Sequence, residues 1–336
     1  MGKSKRTTMN DIAEKAGVSQ ATVSFVLNNR TNSGVKISES TKQKVLDAAE
    51  KLNYSLNDAA KALVTGRFSS IQLFISDITD PFFGEFIYGV EKVAIDKGYK
   101  ILLRSTEFSK NLEKKSFSAL SSSMVDGVIV CGTQLLEGER ESLANNHRII
   151  YIGEKSSKYG GNINVNDTAG YLEAVQNLYS SGKKRFLVVV GPESRPTSIK
   201  RINCLLDAIK SLNPSVDMIQ TIHSESVSLE VSESIINQII SFIPDTDVIF
   251  CFNDIMAIGI IKKLQQRGIV IPNDVGIIGF DGISMGKMVT PALSTISVPR
   301  FELGKKAMSL IVDMIENNLS DPYETLNTNF IPRESH

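Results

Sequence analysis

The strongest constraint on this chain is an alternation of short apolar runs with longer helical stretches. Runs at Ile71–Ser76, Lys100–Arg104, Gly127–Cys131 and Ile149–Ile152 are followed by a second set at Phe186–Val190, Asp247–Cys251 and Gly276–Phe280. A helix is expected between the first two, from about Phe82 to Lys97. Continuous apolar strands separated by helices predict parallel sheets covered on both faces. The two sets begin roughly 115 residues apart, which predicts two similar lobes, although no residue-level repeat accompanies them. In doubly wound sheets the ligand lies beyond the carboxyl ends of the strands, so two facing lobes would hold one ligand in the cleft between them.

At 336 residues the chain has room for about two domains, and 42% hydrophobic content supports a packed core. No apolar run approaches a bilayer span, and no apolar stretch follows the basic N-terminus, so neither a membrane anchor nor a secretory signal is expected. The cysteines Cys131, Cys204 and Cys251 are odd in number and far apart, which fits reduced cytoplasmic thiols. The net charge of zero hides an asymmetry. Residues 1–66 carry 10 Lys and Arg against 6 Asp and Glu, leaving 27 basic and 31 acidic residues elsewhere. A basic head on an acidic body suggests a nucleic-acid-binding module.

The head reads as a helix-turn-helix. Thr8 and Asp11 have the spacing of a capping box, Ile12, Ala13 and Ala16 form one apolar face, and Gly17 stops the helix. Val18 is expected in the turn, and Ser19 caps a second helix with Val23, Val26 and Leu27 inward. Gln20, Ala21, Thr22, Ser24 and Phe25 then face the other side, where small polar groups reach base edges in a major groove. A third helix, capped near Ser38, turns Val45, Ala48, Ala49 and Leu52 inward. From pattern alone, a three-helix bundle without a DNA role remains the alternative.

The run Asp11-Ile12-Ala13-Glu14-Lys15-Ala16-Gly17-Val18-Ser19-Gln20-Ala21-Thr22-Val23-Ser24, with Asn28 beyond it, resembles the DNA-binding signature of the lactose-repressor (LacI/GalR) family. Lys51-Leu52-Asn53-Tyr54 matches the end of that family's third helix, and Asn57-Asp58-Ala59-Ala60-Lys61-Ala62-Leu63 matches its hinge helix. The resemblance covers nearly the whole chain. It implies an α/β protein: a small all-α helix-turn-helix head plus a bilobal periplasmic-binding-protein-like body of two doubly wound parallel sheets. The expected domains are 1–55, a hinge and linker at 56–69, and an effector-binding and dimerisation domain at 70–336. Its first lobe is expected at about 70–163 and 296–323, and its second at about 164–295 and 324–336. The hinge helix is too short to be stable alone. The resemblance implies that it folds when two subunits pair over DNA, with Leu63 wedged into the minor groove. DNA contacts are then expected from Thr8, Ser19, Gln20, Ala21, Thr22, Ser24, Phe25, Asn28, Asn57, Lys61 and Leu63.

The same resemblance implies the cleft residues. Phe82 and Phe83 stand where the family packs an aromatic or apolar pair on its ligand; the alternative is that they are lobe core. Arg201 stands where the family's arginine holds the effector, and a guanidinium fork can grip paired hydroxyls. Arg195 and Thr197 flank it. Asn253 would offer both amide groups to ligand hydroxyls, Asp254 would cap the next helix, and Asp281 would accept from the effector. Thr290–Ile296 matches the family's crossover between lobes.

Enzyme readings fail on spacing. Gly282-Ile283-Ser284-Met285-Gly286 has the form of a nucleophile elbow, but the only later histidine is His336 and Pro291 interrupts the helix the motif needs. No dinucleotide fingerprint or Walker loop follows the first strand, and His147, His223 and His336 lack metal-ligand spacing. No cofactor or metal is expected. The chain departs from the family at Phe25, at Leu56, at Gly153-Glu154 and in the longer turn Asn29–Lys36. It also lacks the leucine-heptad tail of tetrameric relatives, so a homodimer is expected. The function implied is a cytoplasmic regulator of double-stranded operator DNA under a small effector, a sugar or related metabolite. A protein corepressor in place of the effector, or a pure bilobal binding protein, are the alternatives.

Overall fold

The computed structural model describes residues 7–27, 37–52, 54, 66–122, 124–136, 138–140, 147–153, 160–212 and 218–336. The chain divides into two compact units, Met1–Phe68 and Ser69–His336. Among the described residues, no helix is long and apolar enough to cross a membrane.

In the first unit, helix α1 spans Met9–Ala16, α2 Gln20–Leu27 and α3 Glu39–Lys51. Local chemistry sets each end. Thr8 Oγ1 accepts from the Asp11 N–H while the Asp11 carboxylate takes the Thr8 N–H at 2.7 Å, the reciprocal capping box. Gly17 leaves α1 with φ +66, a conformation glycine adopts without steric cost. Ser19 Oγ accepts from the Thr22 N–H at 3.1 Å and Ser38 Oγ from Thr41 at 3.2 Å. Ile12, Val23 and Val45 are fully buried where the helices meet, with Val18, Leu27 and Leu52 packed around them.

The second unit begins with strand β1 (Ser70–Ile75), helix α4 (Phe82–Lys97), β2 (Lys100–Ser105), α5 (Lys110–Ser118), β3 (Gly127–Cys131), β4 (Arg148–Ile152) and β5 (Gly161–Asn166). It continues through α6 (Asp167–Ser180), β6 (Arg185–Val190), α7 (Pro196–Ser211), β7 (Met218–His223), α8 (Glu233–Phe242), β8 (Val248–Cys251), α9 (Asp254–Gln265), β9 (Gly276–Asp281) and β10 (Ser294–Ser297). Helix α10 (Arg300–Glu316), β11 (Tyr323–Asn327) and β12 (Asn329–Ile331) complete it.

Two sheets result, ordered β11-β5-β4-β3-β1-β2 and β12-β10-β9-β8-β6-β7. All pairings are parallel except β10 with β12. The central strands are buried end to end, as parallel strands covered on both faces must be. Both sheets share one winding order, so the two lobes anticipated from spacing are alike in topology. Helices α4 and α10 cross in contact at two glycines: a Cβ on Gly89 would overlap the Phe301 carbonyl, and one on Gly304 the Phe86 carbonyl.

The crossings between lobes fall later than the sequence suggested. β5 stays in the first sheet to Asn166, paired with β11 through Asn327, because the parallel ladder continues to those residues. Thr290–Ile296 does not itself cross: β10 pairs with β9 and β12 in the second sheet, and the chain passes over only after Ser297.

Candidate DNA-contacting helix and effector cleft

On α2, Val23 and Val26 are buried, Gln20 and Ala21 are exposed, and Thr22, Ser24 and Phe25 are half-buried. The expected outward face therefore forms. Three hydroxyls among the expected DNA contacts are engaged in capping: Thr8 with Asp11, and Ser19 and Thr22 with each other at 2.9 Å. Gln20 carries the longest polar side chain on the exposed side. Asn28, Asn57, Lys61 and Leu63, with the hinge and the 29–36 turn, lie outside the described residues.

In the body, each sheet reverses its winding order beside its first strand, between β1 and β3 and between β6 and β8. Ligands of such sheets bind outside the strand ends at that point. The ends of β1, β3, β6 and β8 do line one cavity of about 140 Å³, through Ser76, Gly132, Arg195 and Phe252 among others. All seven cleft residues expected from the sequence are in its wall: Phe82, Phe83, Arg195, Thr197, Arg201, Asn253 and Asp281.

Arg201, on α7, is the centre of the second-lobe wall. Its Nη2 donates to Asp281 Oδ1 at 2.6 Å and its Nη1 to the Phe252 carbonyl at 2.6 Å. Its guanidinium lies over the Phe280 and Phe252 rings, 3.9 and 4.7 Å from their centroids. Burial alone would lower the pKa of Arg201, but Asp281 and Asp167 outweigh that and keep it charged. Burial pushes the Asp281 carboxyl up to about 7, against the pull of Arg201. Asp281 also adopts φ +106, a backbone conformation a side chain resists, and backbone strain of this kind collects at ligand sites.

The helix cap expected of Asp254 is made by Asn253 instead, and Asp254 does not line the cleft. Asn253 is in the extended conformation that precedes a helix, and its Oδ1 accepts from the Met256 N–H at 2.9 Å, so it caps α9. Its Nδ2 points to the Val227 carbonyl at 3.4 Å. Asp254, one residue on, is fully buried and accepts from the Ile283 N–H at 2.8 Å and Thr295 Oγ1 at 2.6 Å. Burial pushes its pKa up to about 6 despite those bonds.

Across the cleft, Phe82 opens α4 half-buried and meets Phe83 edge-on at 5.1 Å; Phe83 is only 4% exposed and belongs to the first-lobe core as well as the wall. Asp80 accepts from the Phe82 N–H at 2.9 Å, and burial raises its pKa. Several wall residues carried no local signal: Phe108, Thr133, Gln134, Asp167, Lys200 and Phe252. Lys200 reaches over from α7 to the Val165 carbonyl at 2.7 Å and to Asp167 at 3.1 Å. The strand-end rule, applied at β2, β3 and β8, would have found Phe108, Thr133 and Phe252.

Comparison with known proteins agrees with this architecture. Residues 69–334 match the family described as periplasmic binding proteins and sugar binding domain of LacI family, and residues 8–57 match bacterial regulatory proteins, lacI family. The chain is 29% identical to the HTH-type transcriptional repressor CytR of Escherichia coli K12 over 92% of this chain and 90% of that one. It superposes on the Lac repressor dimer bound to operator and the anti-inducer ONPF with a TM-score of 0.84, at 19% identity, over 98% of this chain and 99% of that one. A regulator from Alkaliphilus metalliredigens complexed with D-xylulofuranose aligns with a TM-score of 0.70 at 27% identity, covering 80% of this chain and 98% of its own. With both halves matched, the chain belongs to the lacI family of bacterial regulatory proteins, as a DNA-binding transcriptional regulator and not an enzyme.

Proposed function

We propose that the chain works as a cytoplasmic homodimeric repressor whose effector is an uncharged, hydroxylated ring held between the lobes. The observation that carries this reading is the meeting of Arg201, Asp281 and the aromatic walls at the two facing switch points. Phenyl faces suit the C–H face of a sugar or a flat base, and a guanidinium suits its hydroxyls. Charge selects the class further. Among the described wall residues, Arg201 is paired with Asp281 and Lys200 with Asp167, while Arg195 only feels the charge of Asp80 without an ion pair. Two of the three cations of the described wall are thus already neutralised, which favours a neutral ligand over a phosphate.

In the head, α2 serves as the recognition helix, with Gln20, Ala21, Thr22, Ser24 and Phe25 choosing sequence and the domain's Lys and Arg side chains holding phosphate. Thr8, Ser19, Asn28, Asn57, Lys61 and Leu63 complete the proposed contacts. A domain boundary at residues 56–69 separates the head from the body, and Phe82, Phe83, Arg195, Thr197, Arg201, Asn253 and Asp281 form the effector site. Two heads then read a roughly palindromic site. Effector binding changes DNA affinity, and DNA must change effector affinity by the same factor.

Selection of bound fragments from random DNA, with and without a panel of pentoses, hexoses, nucleosides and their phosphates, tests both halves. The expected result is one palindromic motif, with occupancy altered by a neutral member of the panel. Selection of no motif removes the operator role. A response to phosphates alone removes the uncharged effector, and silence across the panel favours a protein corepressor.

A further inference from the structure

We propose that Arg195 and Phe108 form a latch between the two lobes, closing the mouth of the cleft by a direct contact of the protein with itself. Arg195 Cζ lies 3.6 Å from the centroid of the Phe108 ring. A guanidinium over an aromatic face at that distance is attracted by the ring quadrupole, more strongly when the pair is shielded from water. Arg195 belongs to the second lobe and Phe108 to the first. Burial lowers the pKa of Arg195, and Asp80 and Asp77, also of the first lobe, act against that shift.

Both partners are held by their backbones. Arg195 is the residue before α7, its N–H bonded to the Pro192 carbonyl at 3.0 Å, with Pro196 opening the helix. Phe108 donates its N–H to the Ser76 carbonyl at 3.1 Å, and the next residue, Ser109, caps α5. Glu107 and Phe108 both have φ +52, two successive side-chain-bearing residues in the left-handed region. That conformation is costly and persists where surrounding structure imposes it. Here it brings the ring to the cleft wall.

The topology puts this contact far from the crossings. The chain passes between lobes next to β5, β10 and β11, whereas Phe108 follows β2, at the opposite edge of the first sheet. β5 and β2 are four strand spacings apart, about 19 Å. Lys200, on the Val165 carbonyl, and Arg300, on Glu85 and the Gly282 carbonyl, tie the lobes beside the crossings and would move little in a hinge rotation. The Arg195–Phe108 pair sits where a hinge rotation displaces atoms most. An effector enters only after it parts, so the pair sets how often the free protein is open.

The latch is measurable without any effector, and only its functional consequence rests on the proposed cleft. Spin labels at the exposed Lys115→Cys and Glu225→Cys, in a chain carrying Cys204→Ser, report the interlobe distance of the full-length free protein. Arg195→Ala and Phe108→Ala are each expected to lengthen and broaden the distribution, and the double variant to go no further than either. Phe108→Tyr, which keeps the ring, retains the short distance; Phe108→Leu replaces Phe108→Ala if the latter does not fold. Unchanged distances in both single variants, or a double variant that opens by the sum of the two, overturn the latch. If Arg195 instead only grips effector, its loss leaves the free distances unchanged.

Discussion

The recognition head and the effector cleft are built from opposite materials. The head is a local structure: three short helices, each N-terminal end fixed by a hydroxyl three positions from its partner, around a core led by Ile12, Val23 and Val45. Its working face is partly exposed and carries no charged side chain among Gln20, Ala21, Thr22, Ser24 and Phe25. The cleft joins residues as far apart in the chain as Ser76 and Asp281 and surrounds charge with rings. Arg201 and Asp281, eighty positions apart, meet at 2.6 Å in a largely buried setting. A surface that slides along DNA gains from groups that hydrate easily. A ligand pocket gains from charges whose partners are already in place, since orienting them is then no longer part of binding.

The contrast is broken most severely at Arg201. Arg201→Ala leaves Asp281 buried without its partner, and losing one member of such a pair costs about 3–5 kcal/mol. Calorimetric unfolding of the body should show a loss of that order together with a lost effector response, while operator affinity in gel shift is kept. Pairing it with Asp281→Asn should recover part of the stability and none of the response. Undiminished stability in Arg201→Ala would mean the ion pair is not what organises the wall.

Acidity sharpens the same difference. Burial raises Asp254 and Asp281 above their unfolded values in the folded body. A carboxyl raised by folding stabilises below its unfolded pKa, and that contribution is lost as pH climbs through its folded pKa. The body should therefore lose stability between about pH 4 and pH 7, by on the order of 2–3 kcal/mol for a two-unit shift such as that of Asp254. Denaturant midpoints across that range check this, and Asp254→Asn should flatten the slope.

Smaller effects are expected in the head. Gln20→Ala should weaken the selected site by about 1–3 kcal/mol and leave random DNA almost unaffected, because a base contact is lost and phosphate contacts stay. Equal losses on both DNAs would take Gln20 out of the groove. Thr8→Ala removes the α1 cap and should lower head stability by about 1 kcal/mol, with effector binding unchanged by calorimetry.

Much of this molecule was legible in its order of residues. The capping box at Thr8 and Asp11, the stop at Gly17, the span of α4 from Phe82 to Lys97 and the buried strand Gly127–Cys131 occur where the sequence placed them. Such features depend on hydrogen bonds and periodicities only a few residues long, which a linear reading contains. The capping of α9 by Asn253 in place of Asp254 is a different matter. Both residue types cap helices well, and the choice fell to Asp254 being buried against Thr295 of β10 and Ile283 of the loop after β9, partners far along the chain. Phe108 and Lys200 joined the cleft for the same reason: the winding of the sheets carried their strand ends and helices to the wall. Local chemistry thus wrote the elements, whereas the partners of each buried charge were decided by which strand ends the two lobes bring face to face.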